Sequence, residues 1–438
     1  MEKEKIKELI VEHKERFLKR RDLIRRDVQR EIDRFLLQRE IVLVTGVRRS
    51  GKSSLLKLIC EDLLAREAIV PADILYLNFD DERFSSFTVE DFAPLYETFI
   101  ELENPRGRRF LFLDEIQRIP GWERWLNRLY EFEDVRIFVT GSNASMLAPE
   151  VSTTLTGRHR QVVVWPFSFR EFLVLKGAQI ECNTSGRLFH SPDAKVKMRR
   201  FLTEYLQIGG FPEAARTGDA TLLEQYWQDI LYRDVIARYG IKNIKEIREL
   251  ALFLASHAGA PQSYKNLGDL IGVKSANTVK NYLGALSDVY LFQFIHLFDY
   301  SLKRQIYNPS KVYCVDAALG EAVSFRFSRN TGHIYENIVL LELQRRGKTV
   351  FYWKSRRGRE VDFVVQEGFQ ITEANQVCVS LADPKTRERE LRSLAEAAEE
   401  LRVERLTVIT EDEEGLDKAD GCAISIVPLW KWLLEDQA

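Results

Sequence analysis

Gly46-Val47-Arg48-Arg49-Ser50-Gly51-Lys52-Ser53 is the stretch on which the fold turns. It matches GxxxxGK[ST]. It follows a β-branched run at 41–45 and opens a segment, 53–64, whose apolar residues recur at helical spacing. A strand that passes through a glycine loop into a helix is the context this motif needs. Glycines let the backbone curl so that several N–H groups point inward. With the positive end of the helix, these hold phosphate oxygens. Gly46, Arg49, Ser50, Gly51, Lys52, Ser53 and Ser54 are thus the expected phosphate-binding residues. Lys52 is expected to reach the β- and γ-phosphates, and the Ser53 hydroxyl to bind Mg²⁺. An ordinary Gly-Lys turn is the competing reading.

Working outward, alternating short apolar runs and helical stretches predict a parallel sheet covered on both faces. Strands are expected at 74–79, 109–113 and 135–140. The run at 109–113 delivers Asp114 and Glu115 at its C-terminal end, where open α/β sheets place their ligands. Asp114 is expected to hold Mg²⁺, directly or through water, and Glu115 to orient and polarise the attacking water. The run at 135–140 ends in Gly141-Ser142-Asn143. Asn143 is the candidate for positioning that water or sensing the γ-phosphate, and a plain turn residue is the alternative. Downstream, Ser152-Thr153-Thr154-Leu155-Thr156-Gly157-Arg158 offers a guanidinium. Arg158 either stabilises transition-state charge on a neighbouring subunit's nucleotide or makes a surface ion pair.

The chain has 438 residues, 45% hydrophobic and 30% charged, which predicts two to four domains and no wholesale disorder. Its 64 Lys+Arg nearly cancel its 66 Asp+Glu, so any basic surface is local. No apolar run approaches a membrane span, and residues 1–40 lack the apolar segment of a secretory signal. Cys60, Cys182, Cys314, Cys378 and Cys422 are far apart, without a CxxC pair. A disulfide framework or zinc ribbon is therefore not expected, and a cytoplasmic setting is. Residues 2–40 read as one amphipathic helix, with Ile6, Ile10, Phe17, Ile24, Val28, Ile32 and Phe35 on its apolar stripe.

Gly46–Ser53, Leu77-Asn78-Phe79-Asp80-Asp81, Leu113-Asp114-Glu115-Ile116-Gln117, Thr140-Gly141-Ser142-Asn143 and Leu155-Thr156-Gly157-Arg158 stand in this order. Pro166-Phe167-Ser168-Phe169-Arg170-Glu171-Phe172 and Gly209-Gly210-Phe211-Pro212-Glu213 follow. In combination, over about residues 25–438, the chain resembles the archaeal and bacterial AAA+ ATPases that carry a C-terminal domain of unknown function. The resemblance implies a P-loop core of AAA+ type, ATP hydrolysis, and a C-terminal domain like restriction-endonuclease folds. Gly209–Pro212 resembles a lid motif that approaches the nucleotide base in related ATPases, with a helix–loop junction as the alternative.

Residues 263–271 and 275–286 read as two helices joined by Gly272-Val273, the second capped by Ser275. Val279, Leu283 and Leu286 are expected to face inward, and 289–298 to form a strand-like wing. This is a helix-turn-helix pattern, read as a winged helix. Asn277, Thr278, Lys280, Asn281 and Tyr282 are expected outward on the second helix, where they suit phosphates or base edges. Winged helices also serve as protein-interaction modules.

In the last hundred residues, Glu336, Asp362 and Gln376-Val377-Cys378 fall where nucleases of the restriction-endonuclease type place acids and a lysine. That chemistry needs carboxylates for Mg²⁺ and a lysine to activate water. Gln376 replaces a carboxylate and Cys378 the lysine, so a nuclease-like fold without efficient cleavage is expected. Between Arg345 and Arg359 there are seven Lys/Arg, no Asp/Glu, and the aromatic trio Phe351, Tyr352 and Trp353. A basic hairpin there, with Arg356 and Arg357, either grips a phosphate backbone or is a solvated turn.

The expected architecture is α/β throughout. An N-terminal amphipathic helix (1–40) precedes a P-loop AAA+ core (41–170) and a helical lid (171–240). A winged helix with connector (241–330) and a restriction-endonuclease-like α/β domain (331–438) follow. The expected activity is Mg²⁺-dependent ATP hydrolysis. DNA is the expected partner of a homo-oligomer, a ring such as a hexamer. A nucleotide-dependent regulatory switch that docks a protein is the alternative.

Overall fold

The computed structural model of the chain describes residues 1–438 other than 20, 67, 145–154, 156, 179–191, 325–330 and 436–438. Ser152, Thr153, Thr154, Thr156 and Cys182 thus lie outside the described residues. The chain divides into two compact units, Met1–Trp165 and Pro166–Ala438.

In the first unit, β1 (Ile41–Thr45), β2 (Ile74–Asn78), β3 (Arg109–Asp114), β4 (Val135–Gly141) and β5 (His159–Val163) form a sheet ordered β2-β3-β4-β1-β5. All four pairings are parallel. Strand residues alternate between two apolar layers. Ile41, Leu43, Leu75, Leu77, Leu111 and Leu113 enter one, with Ile6, Leu9 and Ile10 of α1 (Lys3–Leu18), Phe99 of α4 (Phe92–Glu103) and Leu126 of α5 (Trp122–Phe132). Val42, Val44, Ile74, Phe110, Phe112 and Phe138 enter the other. They meet Leu55, Leu56 and Ile59 of α3 (Lys52–Ala65) and Ile32 of α2 (Gln29–Asp33). Both faces of β1–β4 are largely buried, so these strands read as mainly apolar runs, whereas the edge strand β5, His-Arg-Gln-Val-Val, does not. The registers Asn78–Asp114, Leu113–Val139 and Thr45–Gly141 bring the C-terminal strand ends to one edge.

The single helix expected over 2–40 is not formed: α1 stops at Leu18, and among the described residues up to 40 only Gln29–Asp33 is helical beyond it. The cause is Arg26. Its guanidinium donates to the Ser50 carbonyl at 2.9 Å and the Trp165 carbonyl at 2.7 Å, which draws the chain across the unit. Gln29 Oε1 accepts from the Arg26 backbone at 2.8 Å, and Arg25 forks onto Asp62 at 2.7 and 3.2 Å. Of the expected stripe, Ile6, Ile10, Phe17, Ile32 and Phe35 are buried, but Ile24 and Val28 only partly so.

Gly46 leaves β1 at φ +138, and a Cβ there would lie 2.3 Å from the Val164 carbonyl oxygen. Gly46→Ala is therefore expected to destabilise the first unit by about 1–3 kcal/mol, read as a lower midpoint in urea unfolding. An unchanged midpoint contradicts the close approach.

In the second unit, α6 (Phe169–Leu175), α7 (Pro192–Ile208), α8 (Pro212–Thr217), α9 (Thr221–Asp229), a π-helix (Ile230–Ala237) and α10 (Ile244–Ser256) come first. Ser168 and Glu171 form a capping box at the start of α6. Gly209-Gly210 joins α7 to α8. Gly209 sits at φ +77 with its Cβ position 2.4 Å from Asp316 Oδ1, and Gly210 N–H donates to Asp316 at 2.7 Å. A Cβ on Gly210 would lie 2.3 Å from the Phe167 carbonyl oxygen, so packing on Asp316 accounts for Gly209 and the Phe167 backbone for Gly210.

There follow β6 (Pro261–Gln262), α11 (Tyr264–Ile271), α12 (Ala276–Asp288), β7 (Phe292–Ile295), α13 (Leu302–Tyr307), β8 (Ser310–Cys314) and α14 (Ala317–Val323). The strands make an antiparallel sheet ordered β6-β8-β7. Ser263 and Ser275 cap α11 and α12 through their hydroxyls. Val279, Leu283 and Leu286 are buried as expected. Of the run 289–298, only Phe292–Ile295 is strand. Tyr282 is buried rather than outward, because its hydroxyl donates to Glu246 of α10 at 2.9 Å.

The rest comprises α15 (Thr331–Arg345), β9 (Thr349–Lys354), β10 (Glu360–Glu367), β11 (Gln370–Val377), α16 (Pro384–Leu401), β12 (Arg405–Thr410), β13 (Gly415–Ala419), β14 (Cys422–Pro428) and α17 (Leu429–Leu434). A mixed sheet ordered β13-β14-β12-β11-β10-β9 packs one face on α16.

Candidate functional site

The loop after β1 and the end of β3 share the C-terminal edge of the parallel sheet. Gly51, at φ +98, caps α3, and the helix begins at Lys52. Lys52 is buried, with its ammonium 3.1 Å from the Gly46 carbonyl, 3.0 Å from the Val47 carbonyl and 3.9 Å from Glu115 Oε1. The loop is also braced from outside, since Arg26 holds the Ser50 carbonyl and Arg48 lies 3.8 Å from Asp80. Ser50 is fully buried, and its hydroxyl has no hydrogen-bond partner.

Asp114 is 1% exposed. Burial, then the neighbouring Glu115 carboxylate, push its pKa up; hydroxyls from Ser53 and Thr140 and the Lys52 charge pull the other way. The Tyr76 hydroxyl donates to its Oδ2 at 3.2 Å, and the Thr140 hydroxyl donates to Oδ1. Glu115 stands in the left-handed region at φ 55, a strained position that its surroundings impose. Its backbone N–H donates to Thr140 Oγ1 at 2.9 Å, and its Oε2 accepts from the Gln117 amide at 2.5 Å. Asn143 is buried just past the end of β4.

The structure therefore brings Lys52, Ser53, Asp114 and Glu115 together. Arg158 it keeps apart from them within this chain. It precedes β5 at the opposite end of the sheet from Gly46, paired with Glu131 at 2.7 Å and bonded to Asn127. Sequence reasoning missed Tyr76, Thr140, Gln117 and Arg26. Thr140 and Gln117 lay inside motifs already singled out. Nothing in the spacing marked Tyr76 or Arg26, whose contacts cross 38 and 24 residues of chain.

In the second unit, Asn277, Lys280 and Asn281 are exposed on α12, with Lys280 over the Tyr264 ring at 5.2 Å. The basic hairpin is less basic than its composition. Arg345 and Arg346 pair with Glu342, Lys348 with Glu367, Lys354 with Glu360 and Arg359 with Glu396. Arg356 and Arg357 remain exposed at its turn. Glu336, Asp362 and Gln376 do gather. The Asp362 N–H donates to Gln376 Oε1 at 3.2 Å, and Glu336 and Asp362 both face the ammonium of Lys311, at 3.9 and 3.0 Å. A lysine is thus present at this cluster, supplied by β8 rather than by position 378.

The parallel sheet, the glycine loop and the paired acids define a P-loop core of AAA+ type. The family description "AAA domain" matches residues 38–173, and two domains of unknown function, DUF8612 and DUF4143, match 199–330 and 331–432. The uncharacterized protein MJ1544 of Methanocaldococcus jannaschii is 33% identical over 427 residues, 93% of this chain and 91% of the relative. An uncharacterized protein of Haemophilus influenzae is 31% identical over 340 residues, 76% of this chain and 80% of the relative. The chain belongs to the family of these AAA-domain proteins. Among solved structures, the Aeropyrum pernix ORC1 protein in complex with DNA is 17% identical, with a TM-score of 0.31 over 69% of this chain and 92% of that one. A likeness that loose adds nothing to the assignment.

Proposed function

We propose that this protein is a Mg²⁺-dependent ATPase that couples hydrolysis to remodelling of, or translocation on, DNA. The supporting observation is the convergence of Lys52, Ser53, Asp114 and Glu115 at one sheet edge. The donor set suits the ligands. Ser53 and Asp114 are hard oxygen donors of the kind Mg²⁺ takes, and the buried hydroxyl of Ser50 faces no protein partner. The backbone of Gly46, Arg49, Ser50, Gly51, Ser53 and Ser54 cradles the phosphates. Lys52 exchanges its loop carbonyls for β- and γ-oxygens. Ser53 and Asp114 would hold the metal, which would neutralise charge on the transferring phosphoryl group. Tyr76 and Thr140 fix the Asp114 carboxylate. Glu115, steadied by Gln117, takes a proton from the attacking water, and Asn143 orients that water. Arg158, remote from this site in its own chain, acts on a neighbouring subunit's nucleotide in a homo-oligomer such as a hexamer.

The DNA-facing residues of this reading are Asn277, Lys280, Asn281, Arg356 and Arg357, on modules spanning 241–330 and 331–438 that follow a lid at 171–240. One observation favours the second reading, a nucleotide-dependent switch that binds a protein. Five of the seven cations between 345 and 359 are paired internally, while Tyr300, Leu302, Ile306 and Tyr307 present apolar surface. The deciding experiment is ATP turnover with and without duplex, single-stranded and branched DNA. A DNA motor should be stimulated several-fold, and its DNA affinity should fall steeply with added salt. Turnover indifferent to DNA, with no binding at low salt, puts the protein-docking switch ahead.

A further inference from the structure

Lys311, on β8, is 2% exposed. Its ammonium lies 2.8 Å from Glu360 Oε1, 3.0 Å from Asp362 Oδ1 and 3.9 Å from Glu336 Oε2. Carboxylates from α15 and β10 thus converge on one internal cation. They are held from behind as well. Asp362 Oδ2 accepts from the Val377 N–H at 3.0 Å. Glu336 Oε2 accepts from the Tyr313 hydroxyl at 3.1 Å, and its Oε1 lies 3.3 Å from His333 Nδ1. The oxygens of Asp362 and Glu336 are therefore positioned by groups other than the lysine they flank, while Glu360 also lies 3.8 Å from Lys354. A fourth carboxylate, Glu390 of α16, is mostly buried beside Asp362, with Arg389 and Gln376 as its partners.

Burying an ammonium is costly unless anions meet it. Here three carboxylates face it, and with the ammonium gone their oxygens are hard donors of the kind a small divalent cation draws together. The lysine also arrives on a strand that is tied down. The Asn337 side chain of α15 bonds both the N–H and the carbonyl of Cys314, at 2.9 and 2.7 Å, and so seats β8 beside the cluster.

We propose that Lys311 is a resident cation in a seat that would otherwise take Mg²⁺ or Mn²⁺, and that it closes this seat while β8 lies against α15. The absence of a lysine at position 378 then matters less than the presence of one at 311. The carboxylates are already neutralised, and the C-terminal module performs no metal-dependent chemistry. This inference is independent of nucleotide turnover in the first unit.

The test counts Mn²⁺ bound to the full-length, nucleotide-free protein by electron paramagnetic resonance. Wild type and Asp362→Asn should bind the same number of ions. Lys311→Ala should gain one ion, bound about tenfold or more tighter than any the wild type holds, as expected of a preformed oxygen site. Adding Asp362→Asn to Lys311→Ala should abolish the gain. Lys311→Gln, which keeps most of the side-chain volume, is read in the same way should the alanine variant not fold. An ion in the wild type that Asp362→Asn removes overturns the proposal. So does a folded Lys311 variant that gains none.

Discussion

The Glu115→Gln protein is expected to bind Mg²⁺-ATP as the wild type does and to hydrolyse it roughly 10²–10⁴ times more slowly, the usual contribution of a positioned general base. The substitution keeps the shape of the side chain and removes only its capacity to take a proton. The Thr140 hydroxyl still receives the backbone N–H of residue 115, so the strained turn after β3 is not disturbed. Single-turnover measurement separates the effect from binding, because nucleotide affinity should stay within about twofold while the chemical step collapses. Hydrolysis at the wild-type rate removes Glu115 from the role of base.

Lys52→Ala should act at the earlier step. The lysine ammonium is buried, bonded to the Gly46 and Val47 carbonyls and close to Glu115. It is poised to move to phosphate oxygens within the same pocket. Truncating one partner of such a charge-assisted contact typically costs 2–5 kcal/mol, or about 30- to 5000-fold in affinity. The variant should show that loss in a fluorescent-nucleotide titration while keeping its thermal midpoint. Unaltered affinity indicates that the loop does not hold the triphosphate.

The two outcomes differ in kind because the two residues were legible in different ways. The loop and the acid pair could be read from the chain alone, since each is local. Glycines, lysine and hydroxyl lie within eight residues, and the acids end an apolar strand. Four of the five strands of the first unit were legible for a similar reason, whereas β5, His159–Val163, is polar at its start and mostly only half-buried and was not read. In a sheet buried on both faces, every residue of a strand such as Ile41–Thr45 is buried, and here all but Thr45 are apolar. Contacts that close over long stretches of chain were not legible. Tyr76 and Thr140 reach Asp114 from neighbouring strands, and Lys311 reaches Asp362 across 51 residues. The N-terminal helix was overextended because its apolar stripe continues past Leu18, while the buried guanidinium of Arg26 overrides that periodicity. Edge strand β13, Gly415–Ala419, is largely exposed and carries no apolar alternation by which a sequence would mark it.

Titration calorimetry of Mg²⁺-ATP into the full-length wild-type protein puts the nucleotide site to its most direct test. Binding of one nucleotide per chain, with a raised thermal midpoint, is the predicted result. A saturating titration that gives neither heat nor thermal shift contradicts the account at its root.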